Sequence, residues 1–335
     1  MFSLTSRWHA PFSFVLFLLL LSFPRLYVEF SSFQHVPLVG MASLVSVLLA
    51  IAHLVNAAPP LLQQRQTITS LSASQIGVFT PYTHYASAAY CHPATTLAWN
   101  CGANCAANPG FHSVASGGDG ASVQFWFVGV DASLGTVIVS HQGTNVEAIQ
   151  SIATDAEFGL ARLNATLFPG LSSSIEAHSG FANEQAKTAT AVLAAVKLAI
   201  STFGVKKVTI VGHSLGGAIG LLDSVYLPLH ITNGVTFRSI FYGLPRVGNQ
   251  AFAQLAGNTV THINNREDFV PTIPGMFLGF HHPTGEVHIQ DSGVWSNCPG
   301  QDNPSVSCTV GDVPTVLQGN VSDHDGPYNG VLMGC

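Results

Sequence analysis

The sequence has few charged residues: Asp, Glu, Lys and Arg make up only 8% of its 335 residues. A chain with so little charge does not have the composition of a long, strongly charged disordered tail. Acidic residues outnumber basic ones by 17 to 11, and the formal net charge is −6 at pH 7. This mild acidity argues against nucleic acid or another polyanion as the partner.

The sequence also lacks an uninterrupted apolar run of about 18–20 residues, the length expected of a transmembrane helix. Shorter apolar runs occupy residues 11–24 and 41–55. The second run leads into Val55-Asn56-Ala57, a small-residue pattern typical of signal-peptide cleavage sites. We therefore expect residues 1–57 to be a leader or signal-peptide region, with the mature chain beginning near Ala58.

Two alternatives remain open for the N-terminus. Translation that begins at Met41 would make residues 1–40 an upstream extension or a gene-model artefact; otherwise the chain has a long leader or a membrane anchor. The polar residues 58–76 predict a short pro-segment or mobile N-terminus. Residues 77–335 then form a single domain, whose length is usual for one α/β domain.

The cysteines do not have the spacing of a zinc site, because the sequence contains no Cys-x2-Cys pair. An even number of cysteines behind a secretory leader instead predicts disulfides and an oxidising compartment. Spacing alone does not choose among the possible pairings. Two N-glycosylation motifs, beginning at Asn164 and Asn320, suit the same compartment. The six cysteines are Cys91, Cys101, Cys105, Cys298, Cys308 and Cys335.

Strand and helix patterns alternate along the domain. Residues 121–130 and 135–140 are β-branched and aromatic runs joined by a hairpin-like connection. Residues 181–203 have apolar side chains at helical spacing, and short apolar strands follow at residues 208–211 and 239–242. This alternation predicts an α/β fold with a mostly parallel central sheet flanked by helices.

The segment Gly212-His213-Ser214-Leu215-Gly216 matches the G-x-S-x-G pattern of a nucleophile elbow. It lies between an apolar strand and a helical run, which is the context that the pattern requires. Glycines are needed because side chains at those positions would collide with the adjacent backbone. The turn exposes the serine hydroxyl at a helix N-terminus, where backbone N–H groups can bind an oxyanion. A glycine-rich turn with a capping serine is the plainer alternative.

A serine nucleophile needs a base and an acid, which in this fold follow it in the order acid, then histidine. Asp223 is only nine residues along the same helix, so a packing role is expected for it. Asp268 and Asp291 each follow a predicted strand, where the fold places its acid, and Glu267 is adjacent to Asp268. Position favours Asp268 over Asp291 without deciding between them.

Five histidines from residue 262 onward are candidates for the base. His262 and His288 alternate with apolar residues, as structural strand residues do, and His281 and His282 follow a Gly-Phe pair in a loop. His324 lies in a polar, turn-forming segment near the end of the chain. A base carried on a loop over the sheet edge suits this last position best.

An oxyanion hole needs a second donor besides the backbone N–H of Leu215. Residues 140–144, Ser-His-Gln-Gly-Thr, end an early strand in a glycine-containing turn. Thr144 offers both a backbone N–H and a hydroxyl there. A simple strand-ending turn is the alternative.

At this point the sequence resembles the fungal class 3 lipases over essentially the whole mature chain, from about Tyr82 to Cys335. The resemblance rests on several motifs besides the elbow. They are Gln142-Gly-Thr144, His178-Ser-Gly-Phe181, Gly212-His-Ser-Leu-Gly-Gly217, Tyr242-Gly-Leu-Pro-Arg-Val-Gly-Asn249, Asp268-Phe-Val-Pro271 and Asp323-His324.

The resemblance implies the α/β-hydrolase fold and a role for each matched residue. It implies Ser214 as nucleophile, Asp268 as acid and His324 as base, with Thr144 and Leu215 as oxyanion donors. It also implies disulfides that pair Cys91 with Cys335, Cys101 with Cys105, and Cys298 with Cys308.

The segment after Thr144 corresponds to the family's lid. Its residues Asn145, Val146, Ile149 and Ile152 include three apolar side chains at helical spacing but no aromatic. Many relatives also have arginine where this chain has Gln142. The small apolar face of the lid puts strong activation at an oil–water interface in doubt, because relatives with modified lids act on feruloyl or other soluble esters.

We therefore expect a secreted, extracellular carboxylic ester hydrolase, a triacylglycerol lipase that needs no metal or organic cofactor. Its partners would be an ester lipid or another apolar ester and, transiently, a lipid interface, with no nucleic acid and no obligate protein partner. The acyl groove is expected near Phe168, Phe277 and Leu278. A feruloyl or other soluble-ester esterase is one alternative, and a non-catalytic secreted or membrane-anchored binding protein is the other.

Overall fold

The computed structural model describes residues 67–144, 148–149, 151, 159–232 and 234–335. The predicted leader therefore lies outside the described residues. The strands in the described part are β1 (Thr69–Ser70), β2 (Phe111–Gly117), β3 (Trp126–Asp131), β4 (Thr136–His141), β5 (Leu160–Arg162), β6 (Glu176–His178), β7 (Lys207–His213), β8 (Thr236–Tyr242), β9 (Gly248–Asn249), β10 (Val260–Asn265), β11 (Phe280–His281), β12 (Glu286–Ile289) and β13 (Trp295–Cys298).

Two long helices and several short ones accompany these strands. The helices are α1 (Ala73–Gly77), α2 (Thr80–Ala88), α3 (Pro93–Ala98), α4 (Ala103–Ala106), α5 (Ser179–Phe203), α6 (Leu215–His230), α7 (Gln250–Ala256) and α8 (Thr309–Asp312). Single 3₁₀ turns form at Gly257–Thr259, Val270–Thr272, Met276–Leu278, Val316–Gln318 and Val321–Asp323.

The main sheet has parallel strands at its centre and antiparallel strands at both edges. Its strand order is β1-β13-β12-β10-β8-β7-β4-β3-β2. Strands β12, β10, β8, β7 and β4 are parallel neighbours. The outer pairs β1–β13, β12–β13, β3–β4 and β2–β3 are antiparallel. The carboxyl ends of the parallel strands meet at one edge, where open α/β sheets place their ligand sites.

The sheet is therefore mixed, with the predicted parallel strands at its centre and antiparallel strands added at its edges. Short connections make the pairs β3–β4 and β12–β13 antiparallel, because a strand that returns directly through a hairpin must run antiparallel to its predecessor. Residues 132–135 make such a turn between β3 and β4. A second, four-stranded antiparallel sheet, β11-β9-β6-β5, was not predicted.

Alternate residues of the central strands enter different hydrophobic cores, as the period-two geometry of a strand requires. In β7, Val208 and Ile210 pack in the core that contains α5 and α6. Val211 packs instead in the core that contains Tyr82 and Tyr85 of α2. Burial on both faces explains why β7 reads as a continuous apolar run.

Helices α5 and α6 cover one face of the sheet. The predicted apolar face of α5 is buried, including Val192 and Val196. The length and apolar composition of α5 would also suit a membrane span, but this helix packs against α6 and the sheet. Residues Leu215–Leu227 of α6 are buried throughout, which fixes the start of this helix firmly against β7.

The structure differs from the prediction of a pro-segment or mobile N-terminus over residues 58–76. Thr69 and Ser70 pair with β13, and the Leu71 N–H donates to the Trp295 carbonyl at 2.8 Å. Ser72 then caps α1 in a capping box with Gln75. Backbone pairing and a capped helix make residues 69–77 part of the domain; residues 58–66 lie outside the described residues.

Three disulfides join Cys91 to Cys335, Cys101 to Cys105, and Cys298 to Cys308. These are the pairs that the family resemblance implies. The first one ties the segment after α2 to the last residue of the chain, across 244 positions. It therefore holds the C-terminal segment that carries His324 against the N-terminal helices.

Candidate active site

Ser214 lies in a strained turn between β7 and α6. Its φ of 56° and ψ of −128° place a non-glycine residue at positive φ, a conformation that costs on the order of 1–3 kcal/mol. The Ser214 N–H donates to the Tyr242 carbonyl of the neighbouring strand at 3.0 Å. The strand, the turn and the helix thus form the elbow that the sequence pattern predicts.

The glycines of the elbow lie in direct contact with backbone. A β-carbon on Gly212 would stand 2.4 Å from the Gly216 carbonyl oxygen. A β-carbon on Gly216 would stand 2.1 Å from the carbonyl oxygen of His141, the last residue of β4. Side chains are therefore excluded at both positions, and the elbow packs tightly against the end of β4.

His324 and Asp268 form a buried pair at the carboxyl edge of the sheet. His324 Nδ1 lies 2.9 Å from Asp268 Oδ2, and both side chains are fully buried. Because a carboxylate only accepts, Nδ1 carries the proton and donates it, which leaves the lone pair on Nε2. The other Asp268 oxygen accepts from the Val270 N–H at 2.9 Å, which fixes the carboxylate after β10.

The remaining functional atoms of this site are buried and unpaired. Ser214 Oγ and His324 Nε2 each lack a hydrogen-bond partner within the described residues, although both residues are fully buried. Buried polar groups are normally paired, so an unpaired hydroxyl in a strained elbow and an unpaired nitrogen on the His–Asp pair suit a site of chemistry. Hydrogen bonds between nucleophile and base are often long before substrate binds.

Gly243 packs against the His324–Asp268 pair, which leaves no room for a side chain at this position. A β-carbon on this residue would lie 2.9 Å from His324 Cε1 and 3.0 Å from Asp268 Oδ2. Its φ of +51° also favours glycine. Gly243 directly follows Tyr242, whose carbonyl holds Ser214. The residue thus connects the serine turn to the acid–base pair, a role that sequence reasoning did not assign.

The other acids weighed from the sequence have different surroundings. Asp223 is fully buried and lies 2.8 Å from His141 Nε2, with Gln185 donating to its second oxygen. Asp291 is exposed, and Glu267 is half-buried. The packing role expected for Asp223 therefore takes the form of a buried His–Asp pair at the end of β4.

The other histidines also have partners away from Ser214. His262 and His282 stack on each other and bond through Nε2 to the carbonyls of Pro283 and Pro271. His281 faces Asp302, and His288 lies between Asp312 and Thr309. These bonds are structural, which leaves His324 as the histidine paired with Asp268.

The two predicted oxyanion donors come from segments that touch each other. Leu215 is the first residue of α6, and the first N–H groups of a helix have no partner within the helix. Thr144 follows β4, and the preceding Gly143 packs against the elbow: a β-carbon there would stand 2.8 Å from the His213 carbonyl oxygen. Gln142 accepts from the Phe125 N–H through its side chain, which ties this loop to β3.

The predicted lid is described only in part. Asn145, Val146 and Ile152 lie outside the described residues. Ile149 is fully buried and belongs to the core that contains α5 and α6. Its apolar side chain therefore packs on the domain in this structure, as one face of the predicted helix would.

Phe168 does not line an acyl groove as expected. It is 3% exposed and packs edge-to-face against Tyr226 of α6, so it belongs to the core. Phe277 is 90% exposed and Leu278 53% exposed, on the 3₁₀ turn after the Asp268 loop. None of the described residues buries these two side chains, so they remain available to an apolar ligand.

The described residues include one group with the composition of a metal site, formed by Glu286, Cys298 and Cys308. The two cysteines are joined in a disulfide. Cysteine binds a metal as thiolate, so this group has only a carboxylate to offer.

Sequence reasoning missed two residues beside the site. His213 directly precedes Ser214, and its ring lies 4.4 Å from that of His324. Tyr90 follows α2 and its hydroxyl lies 2.6 Å from His213 Nδ1. The position of His213 next to the nucleophile was an available signal. Tyr90 had none, because it is 123 residues away in the sequence.

The mixed sheet, the strained serine turn after its central strand and the buried His–Asp pair define an α/β hydrolase. The family model for lipase (class 3) matches residues 138–278. A secreted mono- and diacylglycerol lipase of Gibberella zeae is 35% identical over 237 residues, which cover 65% of this chain and 70% of that relative. The chain belongs to the class 3 lipase family, and the predicted fold and family are thereby confirmed.

Two further comparisons agree with this assignment. A secreted mono- and diacylglycerol lipase of Malassezia globosa is 34% identical over 202 residues, or 58% of this chain. The chain spans 64% of the length of that relative. The structure of a Rhizomucor miehei triacylglyceride lipase superposes with a TM-score of 0.68 at 25% identity, covering 80% of this chain and 98% of that one.

Proposed function

We propose that this protein is a secreted carboxylic ester hydrolase that acts on acylglycerols through an acyl-enzyme intermediate. The observation that carries the proposal is the buried His324–Asp268 pair beside Ser214, which stands in a strained elbow with its hydroxyl unpaired. The names of the relatives, mono- and diacylglycerol lipases and a triacylglyceride lipase, support an acylglycerol as substrate.

In the proposed first step, His324 Nε2 accepts the proton of Ser214 Oγ while that oxygen attacks the ester carbonyl carbon. The carbonyl oxygen becomes an oxyanion, which the N–H groups of Thr144 and Leu215 and the Thr144 hydroxyl would stabilise. Asp268 keeps the Nδ1 proton in place and stabilises the imidazolium. His324 then donates its proton to the departing alcohol, which leaves an acyl group on Ser214.

In the second half of the reaction, water replaces the alcohol. His324 Nε2 takes a proton from this water, whose oxygen attacks the acyl carbonyl carbon. Collapse of the second oxyanion breaks the bond to Ser214, which recovers its proton from His324. The products are a fatty acid and the regenerated enzyme, and the chain's own side chains supply every proton transfer.

Secretion is part of the proposal. Three disulfides require an oxidising compartment. The Gibberella and Malassezia relatives are named as secreted. Asn164 and Asn320, the proposed glycan acceptors, are both exposed. N-terminal sequencing of the exported protein tests the expected start near Ala58.

The catalytic proposal is tested with Ser214→Ala, assayed on a soluble short-chain ester and on an acylglycerol emulsion. We expect a loss of at least about 10⁴-fold in kcat/KM on both substrates. Ser239→Ala is the matched control, because Ser239 is a fully buried serine with an unpaired hydroxyl in the middle of β8. Ester hydrolysis that survives Ser214→Ala unchanged would refute Ser214 as the nucleophile and sink the proposal, whereas an unaltered protein that hydrolyses neither ester would favour a non-catalytic binding protein.

The substrate is tested with a panel of mono-, di- and triacylglycerol emulsions and a feruloyl ester. We expect the acylglycerols to be hydrolysed with the higher kcat/KM. The alternative, an esterase of soluble phenolic esters, is favoured by the absence of an aromatic residue from the lid segment. A clear preference for the feruloyl ester would establish that alternative.

A further inference from the structure

His213 joins two segments of the site that are far apart in the sequence. This fully buried histidine precedes Ser214 and uses both ring nitrogens. Nδ1 lies 2.6 Å from the Tyr90 hydroxyl, and Nε2 lies 2.8 Å from the backbone carbonyl oxygen of His324. A single imidazole thus connects the elbow, the segment after α2 and the loop that carries the predicted base.

The chemistry of the acceptor fixes the direction of these hydrogen bonds. A carbonyl oxygen only accepts, so His213 Nε2 carries a proton and donates it to His324. Burial, and next the nearby His324, lower the pKa of His213 well below its ordinary value, so the ring is neutral. In a neutral imidazole with Nε2 protonated, Nδ1 accepts, and the Tyr90 O–H must donate to it.

Tyr90 carries the connection on to the predicted oxyanion loop, which we define as residues 142–144. A β-carbon on Gly143 would stand 2.0 Å from the Tyr90 hydroxyl oxygen, so the backbone of Gly143 lies directly against it. Burial raises the pKa of Tyr90, and a hydrogen bond from the Gly143 backbone N–H to the same oxygen offsets part of that rise. Gly143 immediately precedes Thr144.

We propose that Tyr90 and His213 are positioning residues that hold the oxyanion loop and the His324 loop in fixed relation to Ser214. The contacts run in one direction, from the Gly143 N–H to the Tyr90 O–H, to His213 and to the His324 carbonyl. This inference rests on the proposed function, because it assigns a purpose to these contacts only if Thr144 and His324 take part in catalysis.

The arrangement matters because Thr144 and His324 lie on loops, whereas the elbow and Leu215 are held rigidly between β7 and α6. Errors of about 1 Å in such groups can cost on the order of 100-fold in rate. The His324 carbonyl also accepts from the Tyr328 hydroxyl at 3.2 Å, so this loop has a second support. The Tyr90 side chain contacts both Gly143 and His213.

The first test is Tyr90→Phe, which removes the hydroxyl and keeps the ring. Asp325, His324 and Tyr328 are charged or titratable groups near this pair, and none of them is changed. We expect kcat on a soluble ester to fall by roughly 10- to 100-fold while KM changes by less than about two-fold, because a misplaced oxyanion loop weakens transition-state binding more than substrate binding.

Tyr85→Phe is the matched control for the loss of a hydroxyl. Tyr85 is fully buried and donates to Asp131 at 2.6 Å, at the end of β3 that pairs with the start of β4, opposite to the site. Asp131 keeps the Ser133 and Leu134 donors in this variant. We expect Tyr85→Phe to retain kcat. Equal kcat values for the two variants, at matched melting temperatures, would overturn the proposal.

A double-mutant cycle with Thr144→Val separates positioning from general stability. If Tyr90 acts through the oxyanion loop, Tyr90→Phe lowers kcat by a smaller factor in the Thr144→Val background than in the unaltered protein. The effects of the two substitutions on the activation free energy are then less than additive. Fully additive losses in kcat would show that Tyr90 does not act through Thr144 and would contradict the inference. Ser214→Ala distinguishes the two failures, since an active Ser214→Ala variant refutes the proposed function itself.

Discussion

Gly243→Ala provides a stringent test of the site geometry. The new methyl carbon would lie 2.9 Å from His324 Cε1 and 3.0 Å from Asp268 Oδ2, whereas ordinary contacts begin near 3.4 Å. The imidazole or the carboxylate must therefore move by about 0.5 Å, which is the tolerance of a preorganised catalytic group. We expect kcat to fall by roughly 10- to 100-fold, because small displacements of a base have large effects on rate.

The same substitution also carries a backbone cost, because alanine at a φ of +51° is strained by about 1–2 kcal/mol. Gly204→Ala isolates that cost. Gly204 has a φ of +70° at the end of α5, and a β-carbon there would contact nothing within 4 Å. We expect both variants to lose a few degrees of melting temperature, but only Gly243→Ala to lose activity.

The assay is steady-state hydrolysis of a soluble ester by both purified variants, with thermal unfolding measured alongside. Asp268→Asn removes the carboxylate of the pair and gives the reference for its complete disruption, an expected fall in kcat of roughly 10⁴-fold. If Gly243→Ala keeps the kcat of Gly204→Ala, the His324–Asp268 pair either tolerates the displacement or is not the acid–base pair, and the reasoning from its packing is refuted.

Two further predictions concern stability. Burial and the adjacent His262 lower the pKa of His282 to about 3. Between that value and the unfolded value of about 6.5, only the unfolded chain binds the proton. The free energy of unfolding therefore falls as the pH drops through this window, by up to about 1.4 kcal/mol per pH unit. His282→Gln, which keeps a donor for the Pro271 carbonyl, should reduce this slope in urea unfolding between pH 7 and 5; an unchanged slope would contradict the assignment. The disulfides should differ in how much they stabilise the folded state, because Cys91–Cys335 spans 244 positions and Cys101–Cys105 only 4. These spans correspond to about 5 and about 2 kcal/mol of chain entropy lost by the unfolded state. Replacing each pair by alanines should therefore lower the melting temperature far more for the first pair, and equal losses would argue against the entropic account.

The elements with local causes were predictable from the sequence. The elbow follows from steric demands within five residues, which the 2.1 Å approach at Gly216 makes plain. The face of α5 follows from helical periodicity, and Val192 and Val196 are buried as that periodicity indicates. The motifs around Asp268 and His324 pointed to these two residues through family resemblance, whereas position alone left Asp291 open.

The place of β1 at the edge of the main sheet and the second sheet were not predictable in the same way. Whether a strand joins the centre or an edge depends on partners far along the chain, as with Thr69 and Asn297, which pair across more than two hundred residues. Phe168 shows the same limit. An apolar side chain suits a groove and a core equally well, and only its contact with Tyr226 places it in the core.

The sequence by itself determined the strand–turn–helix around Ser214, because the glycines, the apolar strand and the helix start are all encoded within a few residues. Only the tertiary structure decided what surrounds that serine. The approach of Gly243 to His324, and of Tyr90 to His213 and Gly143, joins side chains from separate strands and loops. Such contacts arise from the packing of the whole sheet, so no local pattern in the chain records them.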